Sequence, residues 1–272
     1  MQRALVIADN QYKWTMKKIV LFLFLIWSSP SLAQEMKGRP SHQQWDKLLK
    51  KYVSDHGAVN YNGLLSEKDQ VDAYLDLLDR NPPQSYWSRE EKLAFWINTY
   101  NAATVKLILD NYPVESIQDL HPDLKIPFIR DVWHLEFFTI GGEERSLDEV
   151  EHGILRKAFN EPRIHFAVNC ASISCPILLN EAFQPVKLEA QLTQQARAFI
   201  NNPYRNQINQ DQAYLSKIFK WFTGDFTENG TLVDFINQYS DTQISEETDI
   251  DHLAYNWKLN DRPASEVVRL QE

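Results

Sequence analysis

The sequence predicts a helix-rich α+β fold, a single domain around a small, largely antiparallel sheet. Of its 272 residues, 43% are hydrophobic and 24% are charged, which is the composition of an ordinary globular protein. Apolar residues recur at helical spacing in several segments, and two pairs of short β-rich segments are each joined by a turn signal. Residues 34–272 contain no Gly/Ser/Pro-rich seam and no internal repeat, so we expect one domain there.

Most of the predicted helices follow from the spacing of apolar residues. This spacing predicts helices over residues 45–53, 71–78, 188–200, 215–222 and 232–239. A further helix opens at the capping-box pattern of residues 146–149 and runs to about residue 159.

The longest predicted helix starts at a capping box over residues 88–91 and ends near Asn111. It is apolar on most of its faces, so we expect it to be the central buried helix. Asn98 and Asn101 lie three residues apart and therefore on one face of this helix. Because buried amides need partners, these two side chains either bind neighbouring backbone or line a site.

The predicted strands are shorter and fall in the second half of the chain. They cover residues 133–140, 143–145, 163–169, 205–208, 213–215 and 253–257. Gly141-Gly142 joins the first two as a hairpin, and a polar turn joins 205–208 to 213–215 as another. The segment 163–169 is predicted to be a buried strand, because it is largely apolar and follows a proline.

The N-terminus has the pattern of a secretory signal peptide. Lys17 and Lys18 precede an apolar run over residues 19–27, and small residues lead to Ala33. The run is much shorter than the ~20 residues of a membrane-spanning helix, so we predict cleavage after Ala33 and no membrane span in the mature protein. The signal starts most naturally at Met16, and the predicted location is periplasmic or secreted.

The net charge and the absence of several known motifs argue against some classes of function. The net charge of −9 argues against nucleic acid or an anionic lipid surface as the main partner, since both attract basic proteins. The sequence has no P-loop, no G-x-G-x-x-G, no G-x-S-x-G and no H-E-x-x-H, and no cofactor is predicted. The eight tryptophans would suit a carbohydrate platform, but they are scattered along the sequence.

One stretch concentrates residue types that do chemistry: Glu151-His152, His165, Cys170 and Cys175. In an exported protein, two cysteines five residues apart are first of all disulfide candidates, if the loop brings their Cα atoms within about 7 Å. Two buried thiols, or a catalytic or metal-ligating role, are the alternatives that the spacing leaves open. A zinc site would use His165, Cys170 and Cys175 with His152, but H-x4-C-x4-C is not a close-paired zinc spacing.

Thiol catalysis requires a cysteine held as thiolate beside an imidazole that a third group orients. Cys170 follows the predicted strand in a polar loop, where a nucleophile can face a cleft. Either His152 or His165 could reach it in three dimensions, and the spacing does not choose between them.

Four motifs carry a family resemblance. They are EKLAFWINTYNA at 91–102, SLDEVEHGILR at 146–156, RIHFAVNC at 163–170 with SCP at 174–176, and SKIFKWF at 216–222 with DF at 225–226. In this order they resemble the domain of unknown function 547 family over about residues 85–226, with weaker similarity out to Trp257. That family includes exported bacterial proteins of about this size.

The resemblance implies a fold distantly similar to papain-like and transglutaminase-like thiol enzymes. In relatives, the positions that match Glu151-His152 and Cys170 recur, whereas those that match His165 and Cys175 vary more. The resemblance therefore favours Cys170 as nucleophile, His152 as its base and Glu151 as the orienting acid, with the backbone of residues 169–171 donating to an oxyanion. One departure is that such enzymes usually place the nucleophile at the start of the core helix, which here contains no cysteine.

Two functional hypotheses follow. The first is an exported thiol-dependent hydrolase or acyltransferase that acts on peptide-like or cell-envelope amide bonds. The second is a non-catalytic periplasmic binding or structural domain, in which Cys170–Cys175 is a disulfide and the partner is a protein or a glycan.

Overall fold

The computed structural model describes residues 38–122 and 131–261, which lie in one compact unit. It is a helix-rich α+β domain, which confirms the predicted fold class. The predicted signal peptide, its start at Met16 and its cleavage after Ala33 lie outside the described residues. In the ranges that the structure describes, no helix is both long and apolar enough to cross a membrane.

Nine α-helices are found in the described ranges. They are α1 Gln43–Tyr52, α2 Tyr61–Leu64, α3 Lys68–Arg80, α4 Arg89–Asn111, α5 Arg156–Phe159, α6 Leu188–Ile200, α7 Lys217–Trp221, α8 Thr223–Phe226 and α9 Leu232–Asn237. A π-helix, Glu149–Leu155, leads directly into α5, and short 3-10 helices include Val132–His134 and Pro162–Phe166. The helices predicted from apolar spacing are all present, with ends shifted by a few residues.

Helix α4 is the centre of the main hydrophobic core. It begins at the predicted capping box, where the Ser88 hydroxyl accepts from the Glu91 N–H at 3.1 Å and the Glu91 carboxylate accepts from the Ser88 N–H at 2.8 Å. Its side chains are buried on nearly every face, and α3 packs against it. This burial agrees with the all-round apolar pattern of its sequence.

The strands form two small sheets. Strands β1 (Phe138–Ile140) and β2 (Glu143–Arg145) are antiparallel, and the predicted turn Gly141-Gly142 joins them with φ of 69° and 77°, a backbone region that favours glycine. In the second sheet, β3 (Gln207–Ile208) pairs antiparallel with β4 (Gln212–Leu215), and β4 pairs parallel with β5 (Asp249–His252). The last strand therefore ends before the predicted 253–257, and β1 is shorter than the predicted 133–140.

The predicted strand over 163–169 is wrong. Residues 162–166 instead form a 3-10 helix, which starts at Pro162 and has the Glu161 carboxylate as an N-terminal cap on the Arg163 N–H. Proline is favoured in the first helical turn, and a short apolar run is ambiguous between strand and helix. The turn sends Ile164 into the main core and Phe166 into a second cluster, where Phe166 contacts the rings of α6, α7, α8 and α9.

The two asparagines of α4 bind backbone, as the first of the two alternatives predicts. The Asn101 amide donates to the Ala167 carbonyl and accepts from the Asn169 N–H, both at 2.9 Å. The Asn98 amide makes the same pair of bonds with the backbone of Phe183, at 2.8 and 3.0 Å. Asn101 thereby fixes the start of the loop that carries both cysteines.

We expect Asn101→Ala to lower the free energy of unfolding by roughly 2–4 kcal/mol, because a buried carbonyl and a buried N–H both lose their partner. Urea unfolding followed by circular dichroism measures this loss. The matched control is Asn111→Ala in the same helix, where an exposed side chain makes one bond to the Leu107 carbonyl. Equal losses in the two variants would contradict the role given to Asn101.

Candidate functional site

A cavity of about 570 Å³ is lined by the candidate catalytic and metal-binding residues Glu151, His152, His165, Cys170 and Cys175. Much of its lining comes from the 3-10 helix Val132–His134, the π-helix, the cysteine loop 168–176, helix α7 with Phe222, and residues 255–257. One part of the lining is aromatic, and another consists of histidines and carboxylates. A larger depression of about 1000 Å³ along α6 contains neither histidine nor cysteine among its described lining residues.

The π-helix presents Glu151 and His152 to this cavity. It begins where the Ser146 hydroxyl accepts from the Glu149 N–H at 3.1 Å, so the helix predicted over 146–159 is present with a widened first part. π-helical segments are rare and frequently occur at functional sites.

Asp225, in α8, binds two of the side chains that line the cavity. It accepts from Arg156 Nε and Nη2 at 2.6 and 2.7 Å and from His165 Nε2 at 2.7 Å. Burial would raise the pKa of Asp225, but the hydrogen bonds from Arg156 and His165 outweigh it and hold that pKa well below its usual range. Asp225 is therefore charged at neutral pH and orients both partners.

The contacts of His165 define its tautomer. Since Nε2–H donates to Asp225, the neutral ring has a bare lone pair on Nδ1, which has no hydrogen-bond partner within the described residues and lies 3.8 Å from Glu151 Oε1. The imidazole is 2% exposed and stacks on the Phe222 ring at 3.8 Å between centroids. His165 is thus held by a carboxylate on one side and an aromatic ring on its face.

His152 belongs to a second set of contacts. The Arg156 guanidinium donates to His152 Nδ1 at 3.1 Å, so the neutral ring carries its proton on Nε2, 3.6 Å from Asp148. His134 lies 3.6 Å from the same Asp148 oxygen and bonds Asp131 at 2.7 Å. The carboxylate closest to His152 is therefore Asp148, and the predicted orienting acid, Glu151, lies beside His165.

Tyr100, in α4, also lines the cavity next to Glu151. Burial, followed by the Glu151 carboxylate, raises the pKa of Tyr100 well above its ordinary value. Its hydroxyl therefore keeps its proton at physiological pH.

Cys170 and Cys175 are joined by a disulfide, with 6.2 Å between their Cα atoms. Of the alternatives that the spacing leaves open, the structure contains the disulfide and no free thiol. The Tyr255 hydroxyl lies 3.4 Å from the Cys170 sulfur and 3.3 Å from the Cys175 sulfur. The zinc alternative has no support, since both sulfurs are bonded to each other and the described residues contain no group of three or more ligands placed to hold a metal.

The three predicted catalytic residues, Cys170, His152 and Glu151, do line one cavity. In the described ranges, however, the Cys170 sulfur has Ser172 and Tyr255 as its hydrogen-bond partners, and neither is a histidine. The backbone N–H groups of 169–171 are also occupied, by Asn101, by the Cys175 sulfur and by the Asn169 amide oxygen respectively. The predicted oxyanion donors therefore already have acceptors within the chain.

The aromatic part of the lining contains Trp133, Trp221, Tyr255 and Trp257. The Trp257 ring lies 5.4, 5.9 and 4.6 Å from those of Trp133, Trp221 and Tyr255, so the four form one continuous group. Sequence reasoning missed this group, because its members come from three distant segments. Only the folded chain brings the apparently scattered tryptophans together.

Residues 84–200 match the family model described as "Protein of unknown function, DUF547", which confirms the resemblance that the four motifs predict. The matched range includes the central helix, the π-helix and both cysteines, and ends before α7 and Asp225. No curated protein and no solved structure matches the chain.

We expect Asp225→Asn to lower the free energy of unfolding at pH 7 by roughly 2–3 kcal/mol, through loss of charge-assisted hydrogen bonds. Because folding lowers the pKa of Asp225, this contribution is present above the unfolded pKa of about 3.9 and is lost as pH falls through the folded value. Urea unfolding at pH 7, 5 and 3 should therefore show a difference from the unmodified protein that narrows below pH 4. Asp241→Asn, at an exposed carboxylate, is the control, and a difference independent of pH would disprove the assignment.

Proposed function

We propose that this protein is a non-catalytic binding domain of the cell envelope and that its cleft binds a carbohydrate. The observation that carries the proposal is the continuous aromatic group of Trp133, Trp221, Tyr255 and Trp257 on a cavity of about 570 Å³. Cavities of this volume accommodate small organic ligands, and a short oligosaccharide has a suitable size.

The chemistry of the lining suits a sugar. A pyranose ring has an apolar C–H face, which packs on aromatic rings, and an edge of hydroxyls, which need hydrogen-bond partners. Trp221 is 46% exposed and so retains ring surface for such a contact. Asp148, Glu151 and the histidines of the same cavity supply acceptors and donors for the hydroxyls.

The disulfide supports a binding role over a catalytic one. Its bond uses the sulfur that a thiol enzyme would need, and it closes the loop that forms one side of the cleft. Disulfides persist in oxidising compartments, which accords with the signal-peptide pattern of residues 17–33. We therefore place the protein in the periplasm or outside the cell.

Trp221→Ala should weaken binding of an envelope sugar by about tenfold to a hundredfold, because the ligand loses an aromatic contact surface. Isothermal titration of the full chain with oligomers of N-acetylglucosamine and with peptidoglycan fragments measures the change. The matched control is Tyr86→Ala, which removes an exposed ring outside the cleft. The proposal fails if no sugar binds, or if the two variants bind equally well.

A second candidate function is the predicted thiol-dependent hydrolase or acyltransferase. It is favoured by one observation, namely that Cys170 lines the same cavity as His152 and Glu151. A dithiol reductant would first reduce the disulfide and become oxidised itself. The Cys170 thiolate would then attack an amide carbonyl, the amine would leave with a proton from a histidine, and water or an acceptor amine would cleave the thioester.

Because both functions start from the disulfide, the activity of the reduced protein and of cysteine variants separates them. For the binding domain, we expect no label on the intact protein before reduction and two labels afterwards, with sugar binding retained in Cys170→Ala. For the enzyme, the reduced protein should release amines from peptide or peptidoglycan substrates, and Cys170→Ala should abolish that release while Cys175→Ala does not. Intact mass spectrometry and an amine-release assay provide the two readouts.

A further inference from the structure

The part of the cleft lining that is not aromatic carries an excess of negative charge. Asp131, Asp148 and Glu151 line it, and Arg156 is the one arginine or lysine on the described lining. The guanidinium of Arg156 is already bonded twice to Asp225, which cancels its charge. In the ranges 38–122 and 131–261, no arginine or lysine pairs with these three carboxylates, and the side chains within ion-pair distance are histidines, which are charged only when protonated.

The ring nitrogen Nδ1 of His165 indicates where a donor group of a ligand would bind. In the neutral ring it is a buried lone-pair acceptor, and it has no hydrogen-bond partner in the described part of the chain, on a side chain that lines the cavity. A buried polar atom without a hydrogen bond costs free energy, which a donor from a ligand would recover. Glu151 Oε1, another acceptor, lies 3.8 Å from that nitrogen.

We propose that the ligand of the cleft carries a protonated amine and that its ammonium group lies between His165 Nδ1 and Glu151. The proposal rests on the proposed function, because it takes the cleft to be a carbohydrate site, and it names the class as amino sugars with a free amine. One ammonium can donate to two acceptors 3.8 Å apart at ordinary hydrogen-bond lengths, since it has three N–H groups.

The neighbouring rings strengthen the same preference. The faces of tryptophan and tyrosine carry negative charge density, which attracts a cation within about 6 Å of the ring centre. Glu151 and the four rings line the same cavity, so an amino sugar can place its C–H face on the rings and its ammonium at the carboxylate. A neutral acetamido group would bring no positive charge to Glu151, so the ligand would not compensate the carboxylate in a confined site.

A matched ligand pair tests the inference. The full chain is titrated calorimetrically with the glucosamine trimer and with the N-acetylglucosamine trimer, which have the same rings and differ in charge. We expect the glucosamine trimer to bind at least tenfold more tightly at 20 mM salt, and this advantage to shrink at 300 mM salt, because salt screens charge attraction. The salt comparison uses the unmodified protein, so it does not depend on the folding of any variant.

Substitutions then locate the ammonium. Glu151→Gln keeps the shape of the side chain and removes its charge, and should lower the affinity for the glucosamine trimer about tenfold while leaving the acetylated trimer unchanged. Asp241→Asn, outside the cleft, should change neither affinity, and thermal melts verify that each variant is folded.

The two proposals fail differently. If the acetylated trimer binds equally well or better, the amine inference is overturned while the carbohydrate function stands. If the glucosamine trimer binds but Glu151→Gln does not weaken it, the placement of the ammonium is overturned. If neither trimer binds, the carbohydrate function and the amine inference fall together.

Discussion

The orientation of the arginine and histidine side chains on one part of the cleft depends on the carboxylate of Asp225. This carboxylate joins α8 to Arg156 of α5 and to His165 of the 3-10 helix, which lie 69 and 60 residues earlier in the chain. Its partial burial is unfavourable for a charge, but three hydrogen bonds from two side chains compensate for it. The orientations of Arg156 and His165 follow from this one anion, and that of His152 follows from Arg156.

The loop 168–176, which also lines the cleft, has irregular backbone, and side chains hold it in place. Asn169 donates to the Pro176 carbonyl at 2.7 Å and accepts from the Ala171 N–H at 2.9 Å. The Arg205 guanidinium donates to the carbonyls of Cys175 and Ile173 at 2.8 and 3.0 Å. The backbone of this loop pairs with residues 256–260 around a bridge at Ser172, and buried amides and a guanidinium bind other backbone groups of the loop. The disulfide is thus one of several interactions that fix the loop.

Sequence reasoning succeeded where a local pattern determines a local structure. The capping box and all-round apolar pattern of α4, the amphipathic α6 and the Gly141-Gly142 hairpin each follow from neighbouring residues. It failed at 163–169, because a short apolar run has the same composition in a strand and in a 3-10 helix. The sequence also did not predict the aromatic group or the role of Asp225, since both depend on contacts between distant segments. The candidate site was therefore predictable as a region, around Glu151, His152 and the cysteines, but not as a geometry.

The geometry of that region supports ligand binding rather than catalysis as its role. A nucleophile needs a free sulfur beside its base, and here the sulfur of Cys170 is bonded to Cys175 and hydrogen-bonded by Tyr255. An oxyanion site needs unoccupied N–H groups, and those of residues 169–171 already have acceptors. By contrast, a binding site needs a shaped apolar surface and polar groups that a ligand can satisfy. The cleft has both, in the aromatic group around Trp257 and in the His165 nitrogen that has no hydrogen-bond partner among the described residues. A catalytic role would require the loop to change its bonding, whereas a binding role uses the cleft in the arrangement that its hydrogen bonds already stabilise.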